Sequence, residues 1–199
     1  MRFFRPTRLV AGGLFLAAIL GLFRPAAADD FEKALEAARA GLRAKDPAAA
    51  LGGLKKAVAA AWKNLPFTAI NVHLLAAPPA DYGRFLPRVD NVYRPSEPLI
   101  IYLEPVGFTV KNDPAQGLYN FHLTADFNMV DAWGRVVAGR RGFGQFSEES
   151  RQFPDHFFLT FTYSIAGLPP GEYRVETVLH DKLGKKSHIV VTPIRIESP

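Results

Sequence analysis

From Leu118 to Val130 the chain reads LYNFHLTADFNMV, with Tyr119, Phe121, Leu123, Ala125 and Phe127 alternating against Asn120, His122, Thr124 and Asp126. Side chains of a strand point to opposite faces in turn, so a period of two with one apolar set defines a half-buried antiparallel strand. The same reading holds for FFLTFTYSIAG, where Phe157, Leu159, Phe161, Tyr163 and Ile165 share a face. In EYRVETVLHD, Tyr173, Val175, Thr177 and Leu179 turn inward, and Arg174, Glu176, Val178 and His180 outward. LIIYLEPVGF (99–108) is a strand ending at Pro105, FTAINVHLL (67–75) a weaker one, DAWG (131–134) a turn leading into RVVAG, and KSHIVVTPIRI the last strand. That makes about seven strands with no helical segment between them, the spacing of a β-sandwich.

Ahead of Pro66 the composition is different, rich in Ala, Leu, Lys and Glu. Phe31, Leu35, Ala38 and Leu42 recur at helical spacing, as do Leu51, Leu54, Val58, Ala61 and Leu65. Between them Asp46 is placed as an N-cap and Pro47 as the first helical residue, where its missing N–H costs nothing. These signals predict a helical hairpin over 29–65. Its apolar stripe is expected to pack on the domain that comes next or on a second copy of the chain. The hairpin also resembles the junction of two tetratricopeptide units, and one such hairpin is short of the roughly three repeats a continuous repeat core needs.

Residues 1–28 carry Arg2, Arg5 and Arg8, the apolar run LVAGGLFLAAILGLF and a small-residue ending Ala26-Ala27-Ala28. This is the pattern of a secretory signal peptide cleaved after Ala28, shorter in its apolar part than the roughly 20 residues of a spanning helix. The mature chain is then expected in the periplasm or outside the cell, with no further membrane span. Cysteine is absent from the whole sequence, which removes disulfides, thiol catalysis and a lipidated cysteine together. The chain has 24 Lys and Arg against 19 Asp and Glu, but Arg2, Arg5, Arg8 and Arg24, and no acids, precede Asp29. The mature part carries 20 against 19, a net +1. A near-neutral product lacks the concentrated basic face that nucleic-acid binding needs. Arg140-Arg141 and Lys185-Lys186 read as solvated turn charge.

The segment GLPPGEYRV (167–175) brings Leu168, Pro170 and Gly171 just ahead of Tyr173. It resembles the corner before the penultimate strand of fibronectin type III and related immunoglobulin-like domains, where a tyrosine hydroxyl bonds nearby backbone and its ring is buried. The resemblance implies a mainly β fold, a seven-stranded antiparallel immunoglobulin-like sandwich over 66–199 preceded by the α-helical hairpin. It carries no activity with it. Within 66–199, the Pro-rich connection 76–98 is expected to wrap over the core, with Tyr82, Phe85, Val92 and Tyr93 as its contacts.

Catalytic signals are weak. No serine stands in a nucleophile elbow, and GRRGFG (139–144) lacks the Lys-Ser/Thr and the opening helix of a phosphate loop, so its glycines fit sheet bends. No catalytic residue and no cofactor are assigned, a hydrolase being the last alternative. His122, His180 and His188 are placed on one outward sheet face with Asp126 and Glu176, a set that would suit Zn or Cu if it converged. Solvent-facing polar residues of half-buried strands are the plainer explanation. A partner surface is expected around Trp133 at the tip of the DAWG turn, with Arg135, Arg140 and Phe143, types common among interface anchors. The alternative is that Trp133 caps the sandwich end or packs on the helical hairpin. SEESRQFPD (147–155) reads as a solvated loop or second contact. The resulting expectation is a non-catalytic binding or assembly module of the cell envelope, engaging a protein or glycan, with a small-ligand or metal carrier as the competitor.

Overall fold

The computed structural model describes residues 26–198; the signal-peptide reading rests on residues outside these, save for its last three. Helices α1 (Ala26–Arg43) and α2 (Pro47–Trp62) form a hairpin. Asp46 lies in extended conformation, and its carboxylate accepts the N–H of Ala48 and of Ala49, each at 3.0 Å, with Pro47 opening the helix. These are the free amides every helix N-terminus leaves. Lys45, at φ 54°, turns the chain between the helices.

The face by which the hairpin closes is not the leucine stripe. Ala34, Ala38 and Gly41 of α1 meet Ala50, Gly53, Ala57 and Ala60 of α2, all buried. A Cβ on Gly53 would stand 2.6 Å from the Ala38 Cα, and one on Gly41 would stand 2.8 Å from the Ala50 Cα. The backbones therefore touch, and larger side chains are driven to the outside. Leu42, Leu51, Leu54, Val58 and Leu65 are exposed, so of the two expectations for this stripe, packing on the sheets of the same chain does not hold. The link to the rest of the protein is instead Trp62, buried with its Nε1–H donating to the Phe108 carbonyl at 2.8 Å. Its ring meets Phe108 and Phe153 edge-on, at 5.1 and 5.4 Å between centroids.

Beyond the hairpin the described residues form nine strands: β1 (Thr68–Leu75), β2 (Val92–Tyr93), β3 (Pro98–Val106), β4 (Lys111–Asp113), β5 (Leu118–Asp131), β6 (Val136–Ser150), β7 (Leu159–Ser164), β8 (Gly171–Asp181) and β9 (Lys186–Ile196). They make a three-stranded sheet in the order β1-β3-β7 and a six-stranded sheet in which β2, β9, β8 and β5 are consecutive and β4 and β6 both pair with β5. The chain is thus mainly β with two helices ahead of the sheets. The strand number exceeds seven because β2 and β4 are two and three residues long, too short to carry a periodic pattern. The larger sheet is mixed, since β2 runs parallel to β9 where the 76–98 connection returns beside the last strand. Among the described residues no helix is long and apolar enough to cross a membrane.

The two sheets share one core. Leu99, Ile101 and Leu103 of β3 and Phe161 and Tyr163 of β7 join Phe121, Leu123, Val175, Leu179 and Ile194 from the larger sheet in a single buried cluster. A polar pair inside it is satisfied across the sheets, the hydroxyls of Tyr163 and Thr177 lying 2.8 Å apart. Burial pushes the Tyr163 phenol up to about 12. Strand β3 is buried on its second face too: Phe85 and Phe158 cover Ile100 and Tyr102. This explains the uninterrupted LIIYL run, which is what burial on both sides requires.

Three boundaries differ from those expected. Strand β3 continues through Pro105, paired with Ala69 of β1; its pairing with β7 ends at Leu103, so the missing N–H falls where β3 has become an edge. Strand β6 extends to Ser150 because β5 is long enough to pair with it from Val130 back to Tyr119. The loop therefore begins only at Arg151 rather than at Ser147. In the 76–98 connection Tyr93 is fully buried and Phe85 lies 4.4 Å from the Tyr102 ring, a wrap over the core as expected.

Candidate functional site

The turn between β5 and β6 is built around one carboxylate. Asp131 Oδ1 accepts the N–H of Trp133 at 3.0 Å and of Arg135 at 2.9 Å, while Oδ2 lies 2.7 Å from both Nε and Nη2 of Arg135. Gly134, at φ 83°, completes the reversal in a conformation that favours glycine. Burial alone would raise the Asp131 carboxyl, but the backbone and side-chain hydrogen bonds from Arg135 outweigh it and hold the group below the usual aspartate value of 3.8. Arg135 then stacks on Trp133, its guanidinium carbon 4.9 Å from the ring centroid. Trp133 is 79% exposed, so it neither caps the sheets nor packs on the helices. The turn presents an aromatic ring on a fixed base.

A carboxylate with a lowered folded-state pKa contributes stability above its unfolded value and loses it as pH falls through the folded value. The turn is therefore expected to hold from neutral pH down to the ordinary aspartate value of 3.8 and to loosen only below it. Trp133 emission, recorded in a Trp62→Phe background, reports this, and Asp131→Asn removes the step. A step above pH 3.8 that survives Asp131→Asn contradicts the assignment.

The other expected members of this rim separate. Arg140 is exposed on β6, opposite Phe127 of β5. Phe143 is not on the rim: its ring stacks on Tyr163 at 5.3 Å and meets Phe127 edge-on at 4.9 Å, joining the core. The cause is an irregularity in register between Ala125 and Phe127, where Gly142 takes φ 60° and donates its N–H to Asp126 Oδ1 at 2.6 Å. Three β6 residues, Arg141, Gly142 and Phe143, stand against the one β5 residue Asp126, so Phe143 lies inside a bulge where strict alternation does not apply.

The histidine face also divides. His180 and His122 lie outward, and His180 Nε2 is 3.0 Å from Asp126 Oδ2. The Gly142 N–H, and then His180, hold Asp126 below its usual range. His188 belongs to the other face. The β8–β9 turn pairs Asp181 with Lys186, so alternation sets His188 opposite the inward Leu179, and its Nε2 lies 3.2 Å from Thr68 Oγ1 of the other sheet. Glu176 accepts from Arg174 Nε at 2.9 Å. Among the described residues no three metal-ligating side chains gather. At the corner ahead of β8, Tyr173 is buried and its hydroxyl donates to the Pro169 carbonyl at 2.8 Å. Leu168 leans on the core, Pro170 is exposed and Gly171 begins the strand.

Two grooves flank α2, and the sequence pattern anticipated neither. The larger, about 650 Å³, is lined by Lys33, Lys55, Lys56, Lys63 and Arg151 with Asp30 and Asp155 as its acids. The smaller, about 390 Å³, lies between Val58 and Leu65 on the helix and Ile70, Pro105 and Phe157 on the sheet side, with Glu104 and Asp155 in its wall and no lysine or arginine. Glu104 is 5% exposed. Its Oε1 accepts the Tyr102 hydroxyl at 2.7 Å, and its Oε2 accepts Asn71 Nδ2 at 2.8 Å and the Tyr82 hydroxyl at 3.2 Å. Asn71 reaches it from the β1 irregularity, at φ 49°, a conformation asparagine tolerates better than most residues. Burial first, and Glu104 with it, raises both phenols; Tyr102 reaches about 12 even though the Gly83 N–H bonded to its oxygen opposes the rise. The sequence signal was an acid in an otherwise apolar strand, LIIYLEPV, where no glutamate is expected without a reason.

No protein-family model matches the chain, and no curated protein matches it in sequence.

Proposed function

We propose that the protein is an exported, non-catalytic binding or assembly module of the cell envelope, with an immunoglobulin-like sandwich as its body and the Trp133 turn as its contact surface. The observation that carries this reading is the 79% exposure of Trp133 on a turn whose backbone is clamped by Asp131. An exposed indole stacked by an arginine is the chemistry of an interface anchor, and a turn already fixed loses little entropy on binding. The sandwich assignment draws its support from the shared core of the two sheets and from the Tyr173 to Pro169 hydrogen bond at the corner ahead of β8. Envelope localisation rests on the signal-like residues 1–28.

The test is cross-linking of the tagged mature protein in the envelope fraction of cells that express it, with Trp133→Ala and Arg140→Ala beside the parent. A partner held through the turn is expected to bind about thirtyfold more weakly to Trp133→Ala, the loss of roughly 2 kcal/mol that defines an interface hot spot. Leu51→Ala, on the exposed helix face, leaves binding unchanged. A partner retained equally by all three variants removes the turn from the function.

A further inference from the structure

We propose that the groove between α2 and the β1–β3 edge is a binding site for a small organic ammonium ion, with Glu104 as its counter-charge. Three observations meet there. The first is electrostatic: Glu104 is nearly inaccessible, yet its three hydrogen-bond donors, Tyr102, Tyr82 and Asn71, are all neutral, and among the described residues no cation forms an ion pair with it. A buried carboxylate held only by neutral donors lacks a counter-charge, which a cationic ligand in the groove would supply.

The second observation is the wall. Val58, Leu65, Ile70 and Phe157 give the groove an apolar lining, and the Tyr82 ring sits at the carboxylate. Aliphatic and aromatic walls with one anionic end suit an alkylated ammonium, whose charge is spread over its methyl or methylene groups and is drawn to ring faces. At about 390 Å³ the groove has the size of a small-molecule site and not of a protein-docking surface.

The third is the contrast between the two sides of α2. The groove with Glu104 has two acids and no lysine or arginine, whereas the cleft across the helix has five such cations. Asp155 stands in both walls, and His156, bonded to it at 2.7 Å, lines the cationic cleft. A ligand cation is therefore repelled from one side of the helix and attracted to the other. The site is independent of the Trp133 turn, which lies elsewhere on the molecule.

Titration of the mature protein with choline, followed by calorimetry and by Trp62 emission in a Trp133→Phe background, tests the site. Its uncharged isostere, 3,3-dimethylbutan-1-ol, is the matched control. Choline is expected to bind saturably and the neutral alcohol about tenfold more weakly, since it lacks the attraction of the cation to Glu104 and to the Tyr82 ring. Glu104→Gln keeps the shape and removes the charge, and is expected to weaken choline binding about tenfold or more. Leu65→Trp fills the mouth from an exposed position without touching Glu104, so it is expected to abolish binding while the fold stays intact, even if Glu104→Gln does not fold. Trp133→Ala leaves binding unchanged, which separates this site from the partner surface. Absence of saturable binding, equal binding of the neutral isostere, or full binding by Leu65→Trp overturns the proposal.

Discussion

Trp62→Ala is expected to lower the stability of the protein by about 3–5 kcal/mol, the range for removing a large buried aromatic side chain. For a chain of this size that is a fall of roughly 10 °C in melting temperature. The substitution acts twice. It deletes the ring that meets Phe108 and Phe153 edge-on, and it leaves the Phe108 carbonyl without its 2.8 Å donor. Trp62→Phe keeps one aromatic ring while removing the N–H and the rest of the indole, so it is expected to cost less than Trp62→Ala, with about 1–3 kcal/mol of its loss from the unsatisfied buried acceptor. Leu51→Ala, at a residue 58% exposed, is expected to change stability by less than about 0.5 kcal/mol. Calorimetry of the three variants, with limited proteolysis across residues 63–66, measures both the global loss and the release of the hairpin. Equal shifts for Trp62→Ala and Leu51→Ala would mean that the helices hold to the sheets through the leucine stripe after all.

That comparison goes to the reason the hairpin was only half legible in sequence. The spacing of Phe31, Leu35, Leu51, Leu54 and Val58 correctly marks helices, because any apolar recurrence near 3.6 does so. Which side is buried is another matter. Two helices that carry Gly41, Ala38, Ala50 and Gly53 at their crossing approach until backbone meets backbone, and a leucine cannot enter that space. Small residues leave no strong hydrophobic signal, so the deciding face is the quieter one. The strands were easier. In β5, β7 and β8 one face is buried against the other sheet, so Leu123, Phe161, Tyr163, Val175, Thr177 and Leu179 all lie where alternation puts them.

Alternation fails where register is set by something other than the strand itself. Phe143 reaches the core because it lies in the bulge that β6 sets against Asp126, and His188 leaves the outward face because the β8–β9 turn sets it opposite Leu179. A glycine in a strand is a visible warning of the first; the second depends on how many residues the turn consumes, which the pattern does not state. Glu104 was missed for a different reason. Its partners Tyr82 and Asn71 are 22 and 33 residues away in sequence, so the cluster exists only after β1 and the 76–98 connection have been laid against β3. A lone acid in an apolar strand can be noticed in advance, but its donors cannot be named.

Gly107→Ala is the second substitution with a large expected effect, and it bears on the same junction. Gly107 takes φ 70°, and a Cβ there would fall on the Pro66 carbonyl oxygen and stand 2.8 Å from that of Leu65. The cost has two parts. The left-handed conformation costs a non-glycine residue about 1–2 kcal/mol, and the collision with backbone that cannot swing away adds about 1–3 kcal/mol, as overpacking does elsewhere. Gly117→Ala isolates the first, because Gly117 has nearly the same φ, 67°, with nothing within 4 Å of the added carbon. The difference between the two melting curves is then the strength of the contact that sets the end of α2 against the residues entering Phe108. If the two variants lose equal stability, the chain at Leu65–Pro66 yields freely. A larger loss for Gly107→Ala, accompanied by weaker choline binding, is the expected result, since Leu65 forms one wall of the groove and Gly107 lies against its carbonyl.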